Sequence, residues 1–431
     1  MQLKYGIEDR PGLLELMLFG LQWLAVSIPS IIIIGKVIAG LNNSAGEVFY
    51  LQKLFMIVGI VLLIQIFWGH RLPLVLGPAT VLLIGLLASL DRSQGAINSA
   101  MLLGGLALTF LAATGLFAHI KRFFTPRVVV VIMMLIAFTI APTIIDLITT
   151  SGEINGNLNL MFGLILFVML VAGNRLLSGL WGNTLVLWAI LLGSVVYYLV
   201  FPVSPQSLSS FALGAWPTFL PFDLAIPDLG LVLAFLICFI ALSMNELSSI
   251  QSVGIMLNAD NMEKRVNRGV SVIGFGNILA ALGGVIGPVD FSLGPGVIAT
   301  TKCASRFTLI PTGIALLLLA CSPIAIALVG AVPSSVIGVI LAYIITSQIG
   351  AALLLIHQTQ SATSFDDGLV IGLPLMLGTI VAFLPPEIVT QFPDIIRPVA
   401  ANGFVAGTIA VLLLEHLVYR QDTVPAKIKT G

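Results

Sequence analysis

The chain has 431 residues, 58% of them hydrophobic and 9% charged, and its 19 basic residues balance 19 acidic ones. A soluble globular domain carries roughly 25% charged residues, so this composition, with a mean hydropathy of +1.11, excludes that class and reads as an all-α polytopic membrane protein. Zero net charge and the absence of a long basic run exclude nucleic acid as an expected partner and leave a small-molecule substrate and membrane lipid.

From the N-terminus, Met1 to Pro11 mixes acids with bases and does not read as a cleavable signal peptide, so the first span itself is expected to drive insertion. A helix needs about 20 apolar residues to cross the roughly 30 Å hydrocarbon core. Spans are predicted near 13–38, 51–70, 72–90, 95–119, 127–149, 157–178, 182–201, 229–254, 269–287, 288–303, 307–330, 334–357, 368–385 and 399–419, which makes fourteen. Cys238, Cys303 and Cys321 fall in or beside these spans at unrelated spacings and read as small core residues. His70, His119, His357 and His416 lie at span ends without metal-ligand spacing, so no metal and no cofactor is expected. No nucleophile-base constellation or phosphate-binding loop is evident, which argues against an enzyme.

Two of the predicted spans are interrupted by matching sequences. Leu76-Gly77-Pro78-Ala79-Thr80-Val81 returns, 217 residues later, as Leu293-Gly294-Pro295-Gly296-Val297-Ile298. Each proline removes a backbone N–H and disfavours continuous helix at a depth where no water repairs the loss. Matched breaks in two halves of a transporter present helix-end dipoles and backbone groups at mid-membrane, where they replace the hydration shell of a substrate. Ala79, Thr80, Gly294 and Gly296 are therefore expected to bring backbone close to a ligand.

Lysine and arginine gather in the short cytoplasmic loops of membrane proteins. With the N-terminus inside, fourteen spans place Lys4, Arg10, Arg71, Lys121, Arg122, Arg127, Arg175, Lys264, Arg265, Arg268, Lys302, Arg306, Arg420, Lys427 and Lys429 inward, against Lys36, Lys53, Arg92 and Arg397 outward, a split of 15 to 4. Both termini are thus expected in the cytoplasm. The connection 201–228 has no lysine or arginine, contains five prolines and divides the chain into seven spans and seven. An odd-numbered repeat inserts in opposite senses, so residues 1–200 and 229–420 are expected to be inverted repeats, with 201–228 an extracytoplasmic connection and 421–431 a cytoplasmic tail.

Of the acidic residues, only Glu246 and Asp290 are placed well inside spans. A carboxylate in hydrocarbon costs several kcal/mol by the lower estimates and is retained where it faces a cavity or a partner. Glu246 lies in a polar patch from Ser243 to Gln251, whose Asn245, Glu246 and Ser249 share one side of a helix. It is expected to carry a proton through a transport cycle or to hydrogen-bond a polar substrate, unless it sits near the cytoplasmic end and pairs with Lys264 or Arg265. Asp290, three residues before the second break, is expected either to bind substrate or ion or to satisfy freed backbone N–H groups. Gln22 and Trp23, ahead of Pro29 in the first span, offer an amide and a stacking ring.

These residues resemble the nucleobase-ascorbate transporter family, the xanthine and uracil permeases, over nearly the whole chain. Tyr5-Gly6-Ile7-Glu8-Asp9-Arg10-Pro11 looks like the family's lead-in, and Leu72-Pro73-Leu74-Val75-Leu76-Gly77 like the approach to its broken third span. Glu246 falls where the family has its eighth-span glutamate. Gly296, Thr301 and Lys302 keep the later half of the tenth-span signature, and Ala304-Ser305-Arg306 also looks familiar. The resemblance implies fourteen spans in two inverted sevens, with spans 3 and 10 part strand and part half-helix. It also implies a core domain of spans 1–4 and 8–11 that moves against a gate domain of spans 5–7 and 12–14. It further implies nucleobase bound between the half-helices, held by Glu246 and by the tenth-span Gln/Glu, and uptake coupled to a proton or sodium ion; Glu246 and Asp290 are the carboxylates expected to carry that coupling here.

The chain departs from the family where substrate is read. The signature Gln/Glu is Leu293, the following Asn is Gly294, the His expected after Gln22 is Trp23, and the Gly three residues past the glutamate is Ser249. A substrate that lost the contact at 293 leaves polar groups unpaired at roughly 1 to 3 kcal/mol each. The reading is therefore a divergent secondary transporter of the bacterial inner membrane for a nucleobase or similar planar heterocycle. The alternatives are an anion or aromatic-carboxylate transporter on the same fold, a channel, and a non-transporting paralogue acting as sensor or partner. A homodimer is the assembly left open.

Overall fold

In the computed structural model, α1 (Leu13–Ala39) and α2 (Ser44–Phe67) lead into a short strand, β1 (Val75–Pro78), and a half-length helix, α3 (Thr80–Leu87). There follow α4 (Gln94–Ala113), α5 (Pro126–Thr139), α6 (Ala141–Thr149), α7 (Gly156–Leu176) and α8 (Leu185–Val200). The second half runs α9 (Leu229–Met256), α10 (Met262–Gly283), strand β2 (Pro288–Phe291) and a second half-length helix, α11 (Gly294–Thr301). A 3-10 turn at Arg306–Thr308 opens α12 (Leu309–Ala320), followed by α13 (Pro323–Gly330), α14 (Ser334–Thr359) and α15 (Phe365–Ala382). Two single turns, α16 (Pro386–Val389) and α17 (Arg397–Ala400), precede α18 (Gly403–Leu413), which passes into a π-helical turn at Leu414–Val418. The structure describes residues 3–39, 44–117, 119, 122–149, 155–177, 181, 184–201, 216–217, 222–291, 294–393 and 396–419. Leu293, most of the 201–228 connection and the 421–431 tail lie outside the described residues.

Among the described residues, nine helical stretches are long and apolar enough to cross a membrane, and 185–200, 306–320 and 403–418 are shorter apolar helices. Their ends follow local chemistry. The Ser93, Thr125 and Asp228 side chains accept backbone N–H groups of the first turns of α4, α5 and α9, and Ser364 and Asp367 form a reciprocal capping box on α15. Two predicted spans are interrupted. The 127–149 stretch breaks at Ile140, where Pro142 lacks an N–H and crowds the preceding turn. The 307–330 stretch stops at Cys321 and restarts with Ser322 as cap and Pro323 in the first turn, a position where the missing N–H is harmless.

The helices pack in two groups, each drawn from both halves of the chain. One comprises α1, α2, α4, α9, α10 and α12 around the two strands and their half-helices; the other comprises α5, α6, α7, α8, α14, α15 and α18. In the second group, Arg127 at the start of α5 bonds Asp367 at 2.5 Å and lies 3.1 Å from Glu415, tying together the ends of three helices.

Candidate functional site

The first Gly-Pro break is extended, as part of β1, whereas Gly294-Pro295 opens the half-helix α11, and the strand of the second broken span is the preceding Pro288–Phe291; the two strands meet. β1 and β2 pair antiparallel, with Val75 opposite Phe291, Leu76 opposite Asp290, Gly77 opposite Val289 and Pro78 opposite Pro288. Proline suits such short edge strands because no continuous ladder needs its N–H. A Cβ on Gly77 would lie 2.2 Å from Cε2 of Phe291, so only glycine lets that ring lie across the strand. From this crossing the half-helices α3 and α11 run outward.

Two strands leave two free edges, and buried backbone groups there must find partners. Leu76 and Asp290 face one another as a pair whose own N–H and C=O groups point away from the partner strand. On one side, Ser27 of α1 donates its hydroxyl to the Leu76 carbonyl at 3.0 Å. On the other, Glu246 Oε2 of α9 accepts from the Asp290 N–H at 3.0 Å, and Ser249 donates to the Asp290 carbonyl at 3.0 Å. Helix side chains thus complete the ladder on both edges. Asn277 of α10 secures the start of β2 by donating to the Pro288 carbonyl at 3.0 Å.

Glu246 and Asp290 are both fully buried. Glu246 lies ten residues before the end of α9, and among the described residues it forms no ion pair with Lys264 or Arg265, the alternative partners raised above. The Asp290 side chain turns to His70, whose Nε2 lies 3.0 Å from Asp290 Oδ2, at ion-pair distance but off hydrogen-bond alignment. His70 Nδ1 accepts the Leu72 N–H at 2.9 Å, which leaves the ring proton of the neutral imidazole on Nε2, facing the carboxylate. Gln65 accepts the His70 N–H, and Arg265 donates to the His70 and Arg71 carbonyls at 2.9 and 3.1 Å. Arg71 adopts φ +57°, a left-handed turn that those contacts hold in place. In the same loop region, the Arg265 guanidinium bonded to Asp260 holds that exposed carboxyl below its usual range.

The other sequence-derived candidates occupy distinct places. Ala79 caps α3 in extended conformation and donates its N–H to the Gly287 carbonyl at 2.9 Å, and Thr80 beside it is half-buried. Gly294 permits close packing, since a Cβ there would lie 2.9 Å from Val253 Cγ2 and 3.1 Å from the Pro73 carbonyl. Gly296 is exposed, with nothing within 4 Å of a Cβ. Trp23 is buried and donates its ring N–H to Thr308 at 3.2 Å, which ties α1 to the 3-10 turn instead of to the strands. The Gln22 amide nitrogen is buried without a hydrogen-bond partner, as are Glu246 Oε1 and Asp290 Oδ1.

Sequence reasoning passed over His70, Ser27 and the role of Ser249. His70 carried a usable signal, standing five residues before the first strand, but its partner is in the other half of the chain. The serine that replaces glycine at 249 has a concrete task, holding the Asp290 carbonyl.

Comparison with known proteins extends this geometry. Residues 14–387 match the profile of the permease family of xanthine and uracil permeases. Among relatives, the nucleobase transporter PlUacP of Paenibacillus larvae is 25% identical over 91% of this chain and 91% of its own length. The uric acid permease PucK of Bacillus subtilis is 23% identical over 98% of this chain and 100% of its own. In fold, the transmembrane domain of the cyanobacterial bicarbonate transporter BicA superposes with a TM-score of 0.62 at 15% identity, covering 88% of this chain and 98% of that one. With a profile match over most of its length and helices of spanning length and hydropathy, the chain is an integral membrane transporter, not an enzyme, and belongs to the permease family as a divergent member.

Proposed function

We propose that the protein is a cation-coupled permease for a nucleobase such as xanthine or uracil, or a similar planar heterocycle, working by alternating access in the bacterial inner membrane with both termini cytoplasmic. In this reading the nine long stretches, the three shorter apolar helices and the two broken elements make fourteen spans in two inverted sevens. The group around the strands is the core domain, and the group around α5 and α14 is the gate.

The observation that carries the reading is the pair of buried carboxyl groups joined through the Asp290 backbone at the strand crossing, each with an oxygen lacking a hydrogen-bond partner. No lysine or arginine side chain bonds either group among the described residues. Two like charges in a dry site are retained only with compensation. A coupling proton or sodium ion supplies it, and the unpaired oxygens accept from the N–H edge of a heterocycle. Nucleobase and uric acid transport in the named relatives supports the substrate class.

Thermal unfolding of the purified protein with xanthine, uracil, uric acid and bicarbonate, beside Glu246→Gln, tests it. A ligand at 100 times its Kd stabilises by about 2.7 kcal/mol. The expected result is a raised Tm with a nucleobase that disappears in Glu246→Gln, since an amide keeps the acceptor for the Asp290 N–H but loses the charge. Stabilisation by bicarbonate alone, preserved or larger in Glu246→Gln, overturns the nucleobase reading in favour of an anion held by the half-helix N-termini.

A further inference from the structure

One cavity lies away from the strand crossing. It is a groove of about 660 Å3 between the start of α10 and the ends of α2 and α4. Lys264, Asn267, Arg268 and Ser271 line it from α10 at spacings of three, four and seven, so a single helix face presents all four. Lys264 and Arg268 are exposed and form no ion pair or hydrogen bond among the described residues. Glu263 also lines the groove, about a quarter turn round the helix, leaving two cations against one carboxylate. Trp68, 67% exposed, closes the side formed by the end of α2.

The position of the groove indicates its occupant. The start of α10 sits at the end of the molecule that gathers the basic residues, since Arg265 bonds the turn after α2 and Arg306 bonds the Ile66 carbonyl and Glu8. Further along the same α10 face Phe275 is 44% exposed, and on α4 Phe110 is 60% exposed, so apolar surface is open on both helices beyond the polar groove. A basic pocket between helices at the cytoplasmic interface fits a phosphate headgroup, and a tryptophan there marks headgroup depth.

We propose that this groove binds the phosphate of an anionic phospholipid, with Lys264 and Arg268 on the headgroup, Trp68 beside it, and the acyl chains along Phe275 and Phe110. The Asn267 side-chain amide supplies a hydrogen bond to a headgroup oxygen, while the Ser271 hydroxyl donates to the Asn267 carbonyl. Free inorganic phosphate shares the headgroup chemistry but gains nothing from the apolar continuation. The site is independent of the transported substrate.

The test uses the full chain in phosphatidylcholine nanodiscs with phosphatidylglycerol titrated in, its chains brominated to quench tryptophan at contact. Each basic residue near an anionic surface contributes about 1 kcal/mol, or about fivefold in affinity. Lys264→Ala with Arg268→Ala is expected to weaken phosphatidylglycerol binding about thirtyfold, while Arg122→Ala, an exposed cation outside the groove, leaves it within twofold. In the otherwise unchanged protein, saturable quenching is expected to be lost in Trp68→Phe, which locates the lipid without relying on a charge variant that folds. Equal binding of phosphatidylcholine and phosphatidylglycerol overturns the proposal. So does unchanged binding in the double variant, saturable quenching that survives Trp68→Phe, or full displacement of the lipid by millimolar inorganic phosphate.

Discussion

The two broken spans share a backbone and differ in almost everything else. The first is closed: every residue of β1 is buried, as are residues 81–86 of α3, and the segment carries no ionisable side chain. The second places Asp290 in its strand and opens at Gly296, beside an exposed Ala299. Each strand edge is completed from a neighbouring helix, but by one hydroxyl on the first and by a hydroxyl and a carboxylate on the second. The break is therefore a matter of backbone geometry that apolar residues can build alone. Ionisable groups are carried by one copy only, so the first strand serves as a scaffold against which the second presents its chemistry.

Substitutions at matched positions can break this contrast. The largest expected effect is at the glycines. Gly77→Val drives side-chain atoms into the Phe291 ring, already 2.2 Å from a Cβ, and overpacking of that kind costs about 1–3 kcal/mol. Gly296→Val, in open space, is expected to change stability by less than about 0.5 kcal/mol. Unfolding midpoints in mixed SDS micelles measure both, and equal losses would show that the second break is as closed as the first.

The carboxylate comes next. Glu246→Leu leaves the buried Asp290 N–H unpaired, at about 1–3 kcal/mol, whereas Glu246→Gln keeps an acceptor and is expected to lose less than about 1 kcal/mol. If the leucine variant unfolds no more easily than the glutamine variant, the carboxylate does not support the strand. The smallest effects belong to the serines. Ser27→Ala and Ser249→Ala each remove one bond to a strand carbonyl and are expected to cost about 0.5–1.5 kcal/mol. Similar losses would mark the two edges as mechanically equivalent, and a much larger loss at Ser249 would shift the asymmetry from the acids to the backbone itself.

Much of this site is legible from residue types. Gly77-Pro78 announces non-helical backbone because the missing N–H and the freedom of glycine are properties of those residues wherever they stand, whereas Gly294-Pro295 stands in the first turn of α11, where the missing N–H is harmless. Glu246 and Asp290 stand out because a carboxyl group in an apolar stretch needs a reason. Trp23 looks equally suggestive, yet its ring N–H is used on Thr308, and nothing near it in sequence tells a packing bond from a ligand contact. His70 is the converse, unremarkable at a span end and placed against Asp290 only by the folded chain.

By itself, the sequence determined that the chain is an apolar helical membrane protein, that two of its segments are interrupted, and that Glu246 and Asp290 stand out within apolar stretches. These follow from transfer free energies and backbone constraints that act residue by residue. Only the tertiary structure decided that the two breaks pair as strands, that Ser27, Glu246 and Ser249 complete the edges, that His70 faces Asp290, and that Lys264 and Arg268 overhang a groove. Those outcomes join segments distant in the chain, the strand pair and the His70–Asp290 contact from opposite halves, and a hydrogen bond between such segments is set by their packing rather than by the identity of either residue.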